Sequence, residues 1–453
     1  MDGPLAAIVD VVDKADYATI RPSAREALLG HLVDSVGCAA GGFDSEPARL
    51  AREIVRGTSA PVAASVAGVP SPVPVELAAF ANTTMIRYLD YNDAGRGGHP
   101  SDMFGALLAV AEASGSSGKD LLTAVYVAYE VYECFTDAVS VRDRGWDQGV
   151  HCSLGAAAGL AKLLGLPPEQ TANALSLAIT PSIPLRVVRT GELSHWKGCA
   201  TAHAMLTATF GVRLAQLGMT GPPAPFEGAD GVFDQVTGPF AFDFGQPISA
   251  AERAHYKSYP SEFHSQVPIY LMTELREQVA PEDIASIEVV TFHLAWHEIG
   301  GGQGDAAQKW DPQTRETADH SMPWLMAVAL RDGTVSPASF TSELIADADL
   351  RILMSRIQVR QDPALTVRHR QHREFPAEIT VTLSDGSMRH LAATHAPGQG
   401  GTMSREQLNT KFDSMATTVL YAEQAHSLRD QLWGLEQASN LSGVAALLRA
   451  FRA

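Results

Sequence analysis

The sequence predicts a mainly helical protein that also carries a smaller α+β module. Three observations lead there. From Leu5 to about Leu217 apolar residues recur at i, i+3/i+4 and i+7, the period of a helix with one buried face. Near Tyr259-Pro260 the composition changes to β-branched and aromatic runs that alternate, the signature of strands. After about residue 397 the helical period returns. The expected organisation is a helical domain over 1–260, an α+β domain over 261–397, and a segment over 398–453 that rejoins the helical part.

Taken in order, Pro22-Ser-Ala-Arg-Glu-Ala opens a helix through Leu28, Leu32 and Val36, with proline at its first turn. Leu77–Arg87, Asp102–Ala113 and Gly118–Val139 follow as helices. Ser153–Leu164 ends at LLGLPP, a glycine stop with prolines beyond it. Pro168–Ile179 and Cys199–Leu217 complete the series. Many of these helices are rich in alanine and apolar on most faces, which predicts closely packed layers. Beyond Tyr259 the expected elements are a helix from His264 to Gln278, a strand over IASIEVVTFHLAWHEI, and helices over Met322–Arg331 and Ser339–Ala346. A strand at Arg356-Ile-Gln-Val-Arg and a hairpin over Ala377–His395 turning at Asp385-Gly386 are also expected. Ser404–Phe412 and Ala416–Phe451 read as amphipathic helix.

Composition excludes several functions. A net charge of −17 argues against nucleic acid and against an anionic membrane surface, both of which need a basic footprint. The N-terminus lacks a basic region followed by an apolar core, so it does not read as a signal peptide. The most apolar stretch, Leu121–Val139, contains Glu130, Glu133 and Asp137 and reads as a buried helix rather than a membrane span. A cytoplasmic location is expected. The four cysteines are scattered without CxxC spacing, which predicts buried thiols rather than disulfides or a cluster. There is no HExxH, EF-hand or Cys/His zinc pattern, no GxGxxG after a strand, no phosphate-binding P-loop and no GxSxG elbow.

Polar residues gather at five places. LDYNDAGRGGHPSD, from Leu89 to Asp102, puts three aspartates, Asn92, Arg96 and His99 into a stretch broken by three glycines and a proline. It must be a loop, serving either chemistry or turn-making. Gly149-Val-His151-Cys-Ser153 stands ahead of an alanine-rich helix, and Glu192-Leu-Ser-His195-Trp-Lys197-Gly198 ahead of another. Tyr256-Lys257-Ser-Tyr259-Pro260-Ser-Glu-Phe-His264 falls where the composition changes. Thr314-Arg315-Glu316-Thr-Ala-Asp319-His320-Ser321 precedes an apolar helix. Each has a plain structural reading as caps or solvated loop. Together they form a set of cations and acids suited to cofactor-free proton chemistry on a small polycarboxylate, with cations neutralising carboxylates and a His or Lys moving the proton.

At these places the chain resembles the MmgE/PrpD family of dehydratases, decarboxylases and epimerases. The resemblance rests on LDYNDAGRGGHPSD, GVHCSLGAAAGLAKLLGL, ELSHWKGCATAHA, YKSYPSEFHSQ and KWDPQTRETADHSMPW, and runs over roughly residues 5 to 450. It implies a large helical domain formed by both chain ends, a smaller α+β lid, a homodimer, a site in a cleft between the domains, and no metal or organic cofactor. Carried over position by position, it implies Asp90, His99, His151 and Lys257 as catalytic residues. It implies Lys197, His264, Asp319 and His320 as further site residues, and with Asp93, Tyr259 and Arg315 from the polar stretches and Trp324 at the family's Tyr position they make up the expected substrate-binding set. The chain departs from the family pattern at Asn92, where an acid is usual, at Ala94 for Thr, at Trp324 for Tyr, and in the Gln399-Gly-Gly stretch. The expected activity is a hydro-lyase of the 2-methylcitrate dehydratase type. The alternatives are a cis-aconitate-type decarboxylase, a dicarboxylate isomerase or epimerase, and a non-catalytic homodimer that binds a metabolite.

Overall fold

Small residues set how closely the helices of this protein pack. Gly155 and Gly159 lie one turn apart on the helix Gly149–Leu163. A Cβ at Gly155 would fall 2.8 Å from the Ala128 carbonyl, and one at Gly159 would fall 2.7 Å from that of Ala124. Glycine there lets Gly149–Leu163 lie directly on Gly118–Ala138, whose capping box at Ser117 and Asp120 fixes its start. The computed structural model describes residues 1–400 and 403–452. It is mainly helical, with a small mixed sheet in the C-terminal part.

The chain divides into two compact units. The first comprises Met1–Arg186, Gly198–Tyr256 and Met403–Ala453, so both chain ends belong to it. Its helices include Gly3–Lys14, Pro22–Gly41, Glu46–Val55, Val75–Tyr88, Phe104–Ser114, Gly118–Ala138, Gly149–Leu163 and Pro168–Ile179. They share one apolar core with Arg405–Ala416 and Ala422–Trp433. Among the described residues Cys38, Cys134, Cys152 and Cys199 are buried and form no disulfide.

The second unit comprises Val187–Lys197 and Lys257–Thr402. A segment from the middle of the helical stretch, including the first two residues of the helix Trp196–Gln216, therefore groups with it. Its sheet has four strands: Ile284–Thr291, Ile357–Gln361, Ala377–Leu383 and Met388–Ala393. Ile284–Thr291 pairs parallel with Ile357–Gln361 and antiparallel with Ala377–Leu383, which pairs antiparallel with Met388–Ala393. The expected hairpin turns at Asp385-Gly386, where Gly386 adopts φ 84°. Ile287, Val289, Ile379 and Val381 point into a core shared with the helices Gln266–Arg276 and Met322–Asp332.

Several elements differ from expectation. The strand over IASIEVVTFHLAWHEI stops at Thr291, and His293–Ile299 is a helix. Ala295 and Ile299 are buried four residues apart, a helical spacing that the β-rich composition masks. The helix expected at Ser153 begins at Gly149, and the one expected at Cys199 begins at Trp196. His151 and Lys197 thus sit inside first turns rather than ahead of them. Ser339–Ala346 breaks into a short turn Pro337–Phe340 and a helix Ser342–Ile345 because the Thr341 side chain caps Leu344. Ala416–Phe451 is interrupted between Ala422–Trp433 and Ser442–Arg449, with Gly434 at the first break. Among the described residues no helix is long and apolar enough to cross a membrane.

Candidate active-site clusters

In the first unit the polar residues gather on the loop after Val75–Tyr88. Asp90 ends that helix in the left-handed region at φ 52°, a conformation usually left to glycine. Its side chain lies 2.9 Å from Arg87 Nη1 and 3.5 Å from His99 Nε2. His99 Nδ1 contacts the Asp93 carbonyl oxygen, so carbonyl and carboxylate together fix the ring. All four residues are buried.

Asp93 has a different role from Asp90. Its Oδ1 accepts from the Ser101 N–H at 3.0 Å and from the Ser101 hydroxyl, and its Oδ2 accepts from the Tyr129 hydroxyl at 2.8 Å. His31 Nδ1 lies 3.5 Å from Oδ2. Asn92 donates to Asp102 Oδ1 and to Ser101 Oγ, each at 2.8 Å. Gln148 donates to Asp102 Oδ2 at 3.4 Å. Farther along, Ala94 and His255 exchange backbone hydrogen bonds of 2.9 and 2.8 Å. Glycines let the loop lie against its supports. A Cβ would fall 1.8 Å from Glu133 Oε1 at Gly95, and 1.5 Å from Gln148 Oε1 at Gly98, whose φ is 143°.

His151 adjoins this loop at Gly97, where a Cβ would come within 3.1 Å of its Nδ1. It packs edge-on against Phe135 and Tyr132, with ring centroids 4.8 and 5.6 Å away. Phe135 is in turn stacked on Phe240. Neither imidazole nitrogen has a partner among the described residues, and burial lowers the pKa to about 3, so the ring is neutral. Nearby Glu133 is buried, and desolvation raises its pKa to about 7.

The second unit holds the other cations. Lys197 Nζ donates to Asp319 Oδ1 at 2.5 Å and Oδ2 at 2.7 Å, and lies 3.3 Å from His320 Nδ1. Arg315 Nη1 donates to Asp319 Oδ2 at 3.1 Å, and His320 Nδ1 lies 2.7 Å from Oδ1. Burial opposes ionisation of Asp319, but Lys197, His320 and Arg315 outweigh it and hold its pKa below the usual value. One carboxylate thus meets a lysine, an arginine and a histidine. The Glu262 N–H donates to the Asp319 carbonyl at 3.0 Å. Lys257 is buried and donates to the Ser261 carbonyl at 3.1 Å. Gln266 braces this turn, accepting from the Ser258 and Tyr259 N–H groups at 2.9 and 3.0 Å.

The structure therefore brings Asp90 together with His99, and joins Lys197, Arg315, Asp319 and His320. It does not bring Tyr259 or Trp324 to either cluster. Tyr259 packs on the apolar core, and Trp324 is buried within it, with the Arg351 guanidinium 5.6 Å from its ring. Sequence reasoning missed Arg87, Tyr129, Glu133 and Lys309, and held Asp102 and Glu262 only as members of polar stretches. Arg87 was legible as an i, i+3 partner of Asp90. Lys309, buried 3.3 Å from Asp305, carries no local signal beyond its place in KWDPQTRETADHS. Glu262, His264 and Glu298 place carboxylate and imidazole atoms within 4.8 Å of one another, a set that could hold a metal ion.

Residues 6–245 match the MmgE/PrpD N-terminal domain, and residues 259–437 match the MmgE/PrpD C-terminal domain. The chain belongs to the MmgE/PrpD family. Among curated relatives, 2-methylcitrate dehydratase of Cupriavidus necator is 31% identical over 417 residues, covering 85% of this chain and 84% of the relative. The 2-methylcitrate dehydratase of Escherichia coli K12 is 31% identical over 413 residues, covering 84% of this chain and 83% of the relative. A fungal alkylcitrate dehydratase, phiI, is 29% identical over 392 residues, covering 79% and 76%. The Asp90 and His99 loop and His151 lie in the stretch matched to the MmgE/PrpD N-terminal domain, and His264, Arg315, Asp319 and His320 in that matched to the C-terminal domain. Lys257 falls in the short interval between the two.

Proposed function

We propose that this MmgE/PrpD protein is a hydro-lyase that removes water from 2-methylcitrate or a close alkyl homologue, without a metal or organic cofactor. The observation that carries the reading is the cluster around Asp319, set in a chain whose curated relatives are dehydratases of 2-methylcitrate and alkylcitrate. Lys197 and Arg315 share the single charge of Asp319. Cations gathered in this way in a protein of net −17 suit an anionic substrate.

Dehydration of such a substrate removes a proton α to a carboxylate and expels a β-hydroxyl. The pair from the C–H bond forms the double bond, and the hydroxyl takes a proton and leaves as water. In this reading Lys197, Arg315 and His320 hold carboxylates and stabilise charge that builds on them. His99, His151 and Lys257 supply the base and the acid. His151, neutral at physiological pH, is already in the form a base requires. Asp90 orients His99.

Purified protein incubated with 2-methylcitrate is expected to generate the ultraviolet absorbance of an unsaturated tricarboxylate. A folded protein that produces none refutes the substrate. Carbon dioxide release from cis-aconitate, or inversion of a dicarboxylate without loss of water, would assign the chain to the decarboxylase or epimerase alternative instead.

A further inference from the structure

Lys411 is a buried cation that the mechanism above does not use. It lies on the helix Arg405–Ala416, in the C-terminal segment that rejoins the first unit. Its Nζ donates to the Tyr91 carbonyl at 2.8 Å and lies 2.7 Å from Asp34 Oδ1. It also sits 3.6 Å from the centroid of the Tyr91 ring. Lys411 is 7% exposed and Asp34 1%. Burial works against the charge, but Asp34 outweighs it and holds the ammonium pKa above its usual value.

Close helix packing brings these groups together. Asp34 is on the helix Pro22–Gly41, and one turn further a Cβ at Gly37 would fall 3.2 Å from the Phe412 backbone. Glycine there lets the two helices approach, and the residue before Phe412 then reaches both Asp34 and the loop from Leu89 to Asp102. The ion pair with Asp34 settles the cost of burying the charge. The bond to Tyr91 adds something the ion pair does not need, because it fixes a main-chain carbonyl. Arg87 holds Asp90, and Ser101 and Tyr129 hold Asp93. Lys411 holds the backbone between those two aspartates, from 320 positions away. Asp90 is in the left-handed region at φ 52°, so the direction of its carboxylate depends on the chain that follows it. The same carboxylate lies 3.5 Å from His99 Nε2.

We infer that Lys411 is a positioning residue for the reaction, acting through the Tyr91 carbonyl to hold the approach of Asp90 to His99. The inference rests on the hydro-lyase reading above. Lys411 itself meets no reacting atom and transfers no proton.

The test compares 2-methylcitrate turnover by wild type, Asp34→Asn, Lys411→Arg, and Lys411→Met combined with Asp34→Asn. Asp34→Asn removes the ion pair and keeps the bond to Tyr91. The double variant removes both and leaves no buried charge without its partner. Expected is a loss in kcat of about 10- to 100-fold for the double variant, with KM within about threefold. Asp34→Asn should keep kcat within about threefold of wild type, since the loop stays tethered. Nitrogen-15 spectra of histidine-labelled protein read the loop without turnover. The His99 resonance should move in the double variant and stay in place in Asp34→Asn. If the double variant does not fold, Lys411→Arg decides. It keeps the charge but displaces the donor, so kcat should fall and the His99 resonance should shift. Wild-type kcat and an unmoved His99 resonance, in either folded Lys411 variant, overturn the inference. An equal loss of kcat in Asp34→Asn and the double variant overturns it in favour of the ion pair alone. Wild-type protein inert on 2-methylcitrate and alkylcitrates refutes the hydro-lyase reading instead, and the His99 resonance then decides whether Lys411 holds the loop.

Discussion

Glu133 offers a test with a predictable sign and size. It is 3% exposed, and a Cβ on Gly95 would fall 1.8 Å from its Oε1, so the carboxyl lies directly under the Asp90–His99 loop. Burial raises its pKa, Arg253 opposes the rise, Asp137 and Asp93 add to it, and the result moves from 4.5 to about 7. The folded state therefore holds a proton that the unfolded chain has released. This contribution is present below pH 4.5 and is lost as pH rises through 7. At about 1.4 kcal/mol per pH unit, the loss between those limits is about 3 kcal/mol. Glu133→Gln keeps the shape and stays neutral at every pH. Urea unfolding of wild type and variant, compared pH by pH, is expected to show a small difference at pH 4.5. By pH 8 the variant should be more stable by about 3 kcal/mol. The difference between the two proteins cancels every other titrating group they share. A gap that does not change between pH 4.5 and 8, or that grows toward acid, would refute the argument.

Three further outcomes are expected. Asp319→Asn leaves Lys197 and Arg315 buried around a neutral amide and should cost about 3–5 kcal/mol in urea unfolding; a cost below about 1 kcal/mol would mean that the cations are satisfied elsewhere. His151→Leu should lower turnover by at least about 100-fold yet leave the melting temperature at neutral pH equal or higher, because neither ring nitrogen gives up a bond. Below pH 6.5 the unfolded wild type binds a proton that the folded ring, with its pKa near 3, refuses. At pH 5 the leucine variant should therefore gain about 2 kcal/mol on wild type. Gly98→Ala meets Gln148 at 1.5 Å with φ at 143°. It should displace the loop and reduce turnover more than about tenfold while leaving the helical circular dichroism intact; wild-type kinetics in this variant would show that the loop position does not matter.

The helices were legible where local chemistry alone decides them. Pro168–Ile179 begins and ends where proline and the apolar period put it, and the hairpin turns at its Asp-Gly. The helix His293–Ile299 was not legible, because its β-rich composition is overruled by burial of Ala295 and Ile299 and by a bond from its first N–H to Thr366, 73 residues away. Glu46–Val55, Ala348–Met354 and Pro363–His372 were passed over, short helices whose apolar faces gain meaning only from the core beneath them. Site residues followed the same division. Those inside a polar motif could be named, but their partners could not. Tyr129 reaches Asp93 across 36 positions, and Lys197 reaches Asp319 across 122. Grouping Val187–Lys197 with the second unit is equally a matter of long-range contact.

The loop from Leu89 to Asp102 shows what a motif leaves undecided. Its aspartates are alike in sequence and different in place. Asp93 spends both oxygens on Ser101 and Tyr129 with His31 beside it, so it is a structural anchor. Asp102 is bound by Asn92 and Gln148, and Asn92 can make that bond because it is an amide. An acid at position 92 would place a second negative charge against Asp102 and remove the donor. The departure at Asn92 therefore repairs the loop internally rather than facing a substrate. Asp90 alone is held in a conformation that costs backbone energy, on the order of 1 kcal/mol. That strain is tolerated where Arg87 and His99 both need its carboxylate, which makes Asp90 the aspartate of this loop to weigh first for chemistry.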